Sequence, residues 1–382
     1  MSVIKVVSSE YRPMPAAAAA RVAPWVEELC KLGHTVSVFT SSSVLDHDGS
    51  VVKSYFKVPD NKASLGKRFL QEILLGLDLG IRILISKKST SLCFITSPPF
   101  FMACICAFFA KFSNIPYVFD VRDRYPRVLS DLGVIKASSF LFKLLDKLES
   151  WVYQNALQVT TVTHGLVQEL KLRFPHLNIF LVRNGFDEQV FSEHLSNSVK
   201  SSAFTVVYHG RLGRFYETED YIEIMNNVYE MDPSIRFHVV GELPREMQSN
   251  LPKNLVVSPA MPLDKLSELL ATCHLGICFL RELPAMENAF PAKVYDYIGA
   301  GLPVLAAPSG ELTRILNDLK LGETFAKVDP SSIAKAIVRI KETPSVWSTM
   351  CAEVRKTRSI FGRRKIANTY FTNQLAIQLN ES

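Results

Sequence analysis

The sequence lacks a credible membrane span. Its apolar run 100–110 falls well short of the ~20 residues a helix needs to cross a bilayer and reads as a buried helix. The basic-then-apolar order of a secretory leader is missing too, since residues 1–7 read as a strand. Cysteines number seven, an odd count with no metal-ligand spacing to histidine, and Cys104 and Cys106 sit inside the apolar run. That argues against a disulfide framework and for a reducing compartment, so the expectation is a protein that stays in the cytoplasm. No Gly-x-Gly-x-x-Gly follows any strand-like segment, which disfavours a nicotinamide oxidoreductase. Nothing resembles an aromatic-basic nucleic-acid signature, a metal-ligand cluster or a hydrolase carboxylate pair. Repeats and low complexity are absent apart from the alanines at 16–20.

What remains is globular. The 382 residues are 48% hydrophobic and 21% charged, long enough for two domains. Strand-like segments at 3–7, 35–40, 92–96, 117–121 and 159–162 alternate with helix-length stretches, and Gly33 offers a C-terminal cap to the first helix. A polar stretch at 192–202 interrupts the alternation, which restarts with strands at 204–208, 236–240, 255–257, 275–280 and 304–306. Strands separated by helices imply parallel sheets covered on both faces. The expectation is an α/β protein of two Rossmann-like domains, 1–192 and 203–361, with ligands near the carboxyl ends of the strands.

The net charge of +6 is uneven. Lys62, Lys67, Arg68, Arg82, Lys87 and Lys88 gather around a Leu/Ile-rich stretch at 70–85. Two readings stay open: an amphipathic helix with a solvated basic face, or a helix lying on an anionic membrane, where each basic residue contributes ~1 kcal/mol.

The richest segment is Glu287-Asn288-Ala289-Phe290-Pro291-Ala292-Lys293-Val294-Tyr295-Asp296, running on to Gly301-Leu302-Pro303-Val304. A helix starting near Pro291 would present free N–H groups and its positive dipole end to a phosphate or sugar hydroxyl. Asp296, deeper on that helix, could meet a ribose; the plainer alternative is a capped helix between two strands. At the end of the strand 204–208, Gly210 lets backbone approach a ligand and Arg211 offers bidentate contacts to a diphosphate, unless Arg211 is merely a surface salt bridge.

These segments resemble the donor site of retaining family 4 glycosyltransferases of the GT-B fold, in the subset that assembles bacterial surface polysaccharides. The resemblance extends in order over nearly the whole chain. It implies two Rossmann-like domains facing each other across a cleft, with C-terminal helices (about 362–382) returning to the first domain. The family's two donor-site glutamates, seven residues apart, correspond to Asn288 and Asp296. The family's phosphate-binding Arg corresponds to Arg211, but the usual Lys five residues on is Tyr216, leaving Arg214 or Lys293 to supply that charge. Donor binding is thus expected of Gly210, Arg211, Arg214, Asn288, Phe290, Pro291, Ala292, Lys293 and Asp296.

In the first domain, 10–21 matches a proline-containing loop that here carries alanines in place of glycines, followed by Arg21, which either reaches a phosphate or is solvated. Ser97-Pro98-Pro99-Phe100 and Asp120-Val121-Arg122-Asp123-Arg124-Tyr125-Pro126 match strand ends of the polysaccharide subset. Asp123 is expected to position the acceptor hydroxyl or the sugar, or else to cap its loop; with Arg211 it forms the expected catalytic set, and Arg122 and Tyr125 join Arg21 toward the acceptor. Asn184-Gly185-Phe186-Asp187 matches a family motif but is equally a plain turn.

The implied reaction transfers a sugar, hexosyl or N-acetylhexosaminyl, from a UDP-linked donor to a lipid-linked glycan during lipopolysaccharide O-antigen or capsule synthesis. The nucleotide sugar is the co-substrate, with no metal or other cofactor, and peripheral attachment to the inner membrane would suit the acceptor. Two alternatives remain: a catalytically weak binding subunit of the same fold, for which Tyr216 and Asn288 speak, and a sugar-nucleotide epimerase.

Overall fold

The computed structural model describes residues 2–14, 16–43, 50–60, 63–131, 133–195, 199–213, 215–216, 218–243 and 251–375, without the Ala285 side chain. Lys62, Arg214 and the end of the C-terminal segment lie outside them. The chain divides into two compact units, 1–183 with 367–382, and 184–366.

The first unit holds seven parallel strands: β1 (Val3–Val7), β2 (Thr35–Thr40), β3 (Val51–Lys53), β4 (Leu92–Ser97), β5 (Tyr117–Val121), β6 (Gln158–Thr161) and β7 (Ile179–Leu181). Their order is β3-β2-β1-β4-β5-β6-β7. The second unit holds six: β8 (Thr205–His209), β9 (Arg236–Val240), β10 (Leu255–Ser258), β11 (Leu275–Phe279), β12 (Val304–Ala307) and β13 (Gly322–Thr324), ordered β10-β9-β8-β11-β12-β13. In each sheet the order reverses once, between β1 and β4 and between β8 and β11. The loops leaving those strands therefore diverge and open a crevice at their carboxyl ends.

Central strands such as β4, β5, β8, β11 and β12 are buried at every residue, because helices cover both faces. The short edge strands β3 and β13 are only partly buried, and no apolar pattern in the sequence announces them. Gly33 follows the helix Ala17–Lys31 at φ +84°, the left-handed conformation that a glycine cap supplies.

The apolar run 100–110 forms the helix Phe100–Phe112, packed on the helix Leu65–Ile85. Contact is close enough that a Cβ on Gly76 would sit 2.9 Å from the Met102 Cα. Burial is incomplete, however: Phe108 and Phe112 project into solvent, Phe112 with 70% of its surface exposed. Among the described residues no helix is long and apolar enough to cross a membrane. Of the basic residues around 70–85, Arg68 is paired with Glu72 and Arg82 with Asp78 on their own helix, whereas Lys67, Lys87 and Lys88 are exposed.

The polar stretch near 195 is not where the units divide. Glu188–Leu195 is a helix of the second unit, with Phe191 packed against Phe186 and Gly299. Within the helix Arg363–Tyr370, at Ala367, the chain rejoins the first unit, where Phe371 packs on Trp25 and Phe94.

Candidate functional site

In the first unit, β5 delivers Asp120 into the interior and Arg122 and Asp123 to the loop beyond. Arg21 joins Asp120 through two hydrogen bonds, Nε–Oδ2 at 2.8 Å and Nη2–Oδ1 at 2.7 Å. Its remaining donors reach the carbonyls of Val182 (2.8 Å) and Arg183 (3.2 Å). Thr96 and Thr160 also donate to Asp120, and the guanidinium lies 4.7 Å from the Trp25 ring. Burial alone would raise the Asp120 pKa, but Arg21 and Thr160 hold it below the usual value.

Arg21 is therefore neither solvated nor turned toward a ligand; it is an internal clamp. Arg122 donates to the carbonyls of Ser97 (3.4 Å) and Pro98 (3.0 Å), tying the loop after β5 to the loop after β4. Asp123 is exposed and forms no hydrogen bond to another described residue, so it does not cap its loop. Tyr125 is buried, its ring stacked on Phe100 with centroids 5.0 Å apart, which corrects the expectation of a ring offered to an acceptor.

In the second unit, β8 ends at His209 and the chain turns at Gly210, φ +94°. The Gly210 N–H donates to the Val240 carbonyl at 2.8 Å. Gly241, φ +137°, lies so near that a Cβ there would fall 2.6 Å from the Gly210 oxygen. Both positions demand glycine, one for φ and one also for the close approach. Arg211 is exposed, makes no ion pair among the described residues, and has its carbonyl held by the Tyr208 hydroxyl at 3.0 Å. It is not a surface salt bridge.

The helix Ala292–Gly299 begins after Pro291 with no side chain capping its first turn. Those N–H groups and the dipole leave a local excess of positive potential. Lys293 adds its amine to the same turn, 3.5 Å from the Tyr208 ring centroid and 4.1 Å from that of Tyr216. Burial pulls the Lys293 pKa down to about 7. A Cβ on Gly210 would stand only 3.9 Å from the Lys293 Cε, so the turn after β8 and this helix end are neighbours.

One turn further, Asp296 Oδ2 approaches His209 Nε2 at 3.4 Å. Burial depresses the histidine to about 3, helped by the Lys293 charge, and lifts Asp296 to about 7, with Asp187 adding and Arg363 opposing. The contact is therefore between a neutral imidazole and a readily protonated carboxyl, not a true ion pair. Tyr297 fixes the arrangement by accepting from the His209 N–H (3.2 Å) and donating to the Ile277 carbonyl (3.3 Å).

Asn288 terminates the short helix Pro284–Glu287, three residues before Pro291. Beside it, Leu280, Arg281, Leu283, Met286, Glu287 and Gly310 help line a concavity of 360 Å³ at the carboxyl ends of β11 and β12. Phe290 turns inward, between Tyr295 (4.6 Å) and Phe361 (6.1 Å), so only its backbone could serve a ligand. Among the described residues, no group of His, Cys, Asp and Glu is placed to hold a metal ion.

Residues 16–185 match the family described as Glycosyl transferase 4-like domain, and residues 203–343 match Glycosyl transferases group 1. The chain belongs to the glycosyltransferases of the GT-B fold. Among curated proteins, Probable glycosyltransferase WbjE of Pseudomonas aeruginosa is 21% identical over 308 residues, 77% of each chain. Among solved structures, Anabaena Alr3699/HepE in complex with UDP superposes with a TM-score of 0.67 at 14% identity, covering all of both chains. WaaG, a glycosyltransferase involved in lipopolysaccharide biosynthesis, gives 0.66 at 14% identity, covering 97% of this chain and all of its own.

In this glycosyltransferase the fold brings Gly210, Arg211, Pro291, Ala292, Lys293 and Asp296 to one end of the second sheet. Sequence reasoning passed over Tyr208 and His209 as contributors to that region. For Asn184-Gly185 the sequence leaves a family motif and a plain turn equally open. Gly185, φ +68°, in fact presses on the Phe361 carbonyl (2.7 Å from a Cβ), and Arg363 donates to the carbonyls of Asn184 and Gly185.

Proposed function

We propose that this glycosyltransferase moves a hexosyl or N-acetylhexosaminyl group from a UDP-linked donor to a hydroxyl of a lipid-linked glycan, with retention of anomeric configuration. The setting is assembly of a surface polysaccharide such as lipopolysaccharide O-antigen or capsule. The observation that carries this reading is the uncapped, cationic start of the helix Ala292–Gly299 beside Gly210 and Arg211. Free N–H groups, an exposed guanidinium and a glycine that leaves room for phosphate favour a nucleoside diphosphate. The likeness to a protein crystallised with UDP and to one of lipopolysaccharide biosynthesis supports the choice of donor and setting.

On this reading the second unit, 184–366, takes the donor and the first unit, 1–183 with 367–382, takes the acceptor. Arg211, Lys293 and the first-turn N–H groups stabilise the departing diphosphate. Asp296 hydrogen-bonds the ribose hydroxyls, and Asn288 the sugar. The acceptor oxygen bonds to the anomeric carbon as the bond to the phosphate oxygen breaks, and the leaving phosphate takes the acceptor proton. Asp123 orients that acceptor hydroxyl, while Arg122 holds the loops that present it. The nucleotide sugar serves as co-substrate and no separate cofactor enters.

A lipid-linked acceptor calls for attachment to the cytoplasmic face of the inner membrane. Supporting it is an apolar surface of the first unit: Phe108 and Phe112 stacked at 6.2 Å, Phe108 against Trp151 at 5.9 Å, and Phe140, Leu141 and Leu144 exposed on the same helix as Trp151. Lys111, Lys143 and Lys147 are exposed beside them, whereas Asp146 and Glu149 are paired with Arg173. Apolar rings among unpaired lysines suit an anionic lipid surface.

The test is thermal unfolding of the purified chain with UDP, GDP, ADP or CMP and no added metal. A ligand at 100 times its Kd stabilises by about 2.7 kcal/mol. A shift with UDP that disappears in Arg211→Ala supports the reading; no shift with any nucleotide moves the chain to a binding-subunit role.

A further inference from the structure

Lys293 is buried, 7% exposed, and its amine finds no hydrogen-bond partner among the described residues. A buried ammonium without a counter-charge is costly, and the faces of Tyr208 and Tyr216 replace only part of its hydration. Among the described residues, the groups that face it provide no anion. Tyr208 and His209 come from β8, Tyr216 from the following loop, Cys278 from β11, and Asp296 from its own helix. Burial holds the Cys278 thiol up at about 11 and raises both tyrosines further, while His209 is neutral. Asp296 is turned to His209. The remaining neighbour is Gly210, where the missing Cβ opens the approach, with Arg211 next to it.

We infer that Lys293 is the internal counter-charge of the donor's diphosphate, held in waiting between the Tyr208 and Tyr216 rings until the phosphates arrive over Gly210. The inference rests on the donor-site reading above. Tyr216 thereby has a use: its ring shelters a cation that arrives from the helix instead of from its own position. The amine is partly deprotonated when the site is empty, and a phosphate anion beside it favours the ammonium. Binding therefore draws proton density from solution at the amine, since burial weakens its hold on the proton while the site is empty.

The experiment is calorimetric titration of the full chain with UDP, UMP and uridine at pH 7, in two buffers of different ionisation enthalpy. The parent should take up measurably more proton per UDP than per uridine, the difference being the contribution of the phosphates. Lys293→Met should weaken UDP at least about tenfold, change uridine by less than about twofold, and abolish the uptake. Lys293→Arg, which cannot lose its proton, should keep UDP affinity within about threefold while the uptake vanishes. A parent that binds UDP without proton uptake, or a Met variant that binds UDP as the parent does, overturns the inference and leaves the donor reading intact. Equal losses for UDP and uridine in the Met variant make Lys293 a packing residue and overturn it too. A parent that binds no nucleotide at all sinks both.

Discussion

His209 Nε2 lies 3.4 Å from Asp296 Oδ2, and burial drives the two in opposite directions, the imidazole down to about 3 and the carboxyl up to about 7. Near neutrality the histidine is uncharged and the carboxyl is readily protonated. Such a carboxyl both donates and accepts hydrogen bonds, which suits a vicinal pair of neutral hydroxyls better than it suits a cation.

A stability consequence follows from the raised Asp296 pKa. The folded state binds this proton more tightly than the unfolded chain, so the stability it contributes is present below about pH 4 and lost as pH climbs through about 7. His209 titrates in the opposite sense at lower pH, so the parent curve alone is ambiguous. Asp296→Asn should be less sensitive than the parent between pH 5 and 8 and more stable than it at pH 8, by at most about 4 kcal/mol. Urea unfolding of both proteins at the two pH values checks this; parallel curves would refute it.

Arg211→Ala removes an exposed guanidinium whose backbone carbonyl stays held by the Tyr208 hydroxyl. Unfolding temperature without ligand should move by less than about 1 °C, in line with an exposed side chain. Turnover should fall by about 10²–10³-fold if the side chain stabilises the leaving diphosphate. Steady-state rates with the donor named by the nucleotide screen decide it, and an unchanged turnover would remove Arg211 from the site.

For Arg21 the expectation is the reverse. Arg21→Met strands Asp120 in the interior with only Thr96 and Thr160 as donors, and should cost about 3–5 kcal/mol in urea unfolding. Nucleotide affinity should be retained under conditions where the variant stays folded, since the clamp lies in the first unit. A stable variant with weakened nucleotide binding would restore Arg21 to a ligand-facing role.

Phe112 and Phe140 are 70% and 82% exposed, so replacing both by Ser should leave the unfolding temperature nearly unchanged. Flotation with vesicles containing anionic lipid should drop at least about tenfold, and raising salt should weaken the parent's binding as well. Equal flotation of parent and variant would exclude this surface as the membrane contact.

The alternation of apolar strands with helix-length segments was legible without coordinates, because strands buried on both faces cannot be written in polar residues. So were Gly210, Arg211 and the helix starting after Pro291, since glycine, proline and charge at strand ends have local physical reasons to be there. The edge strands β3 and β13 left no such trace, being half-exposed and three residues long.

Side-chain direction was the harder matter. Sequence placed Arg21, Tyr125 and Phe290 near strand ends and helix starts, where a ligand is met, yet all three turn inward. Arg21 does so because its carboxylate partner lies 99 residues away on β5. Tyr125 and Phe290 do so because aromatic neighbours, Phe100 for one and Tyr295 and Phe361 for the other, offer more buried area than water does. The substitution at 216 reads in sequence as a lost charge. Only the packed unit shows that a tyrosine there faces an amine carried by another element. Local chemistry thus determined which residues stand at strand ends and helix starts, and tertiary packing decided which of their side chains turn inward, because burial and charge pairing are settled between residues far apart in the chain.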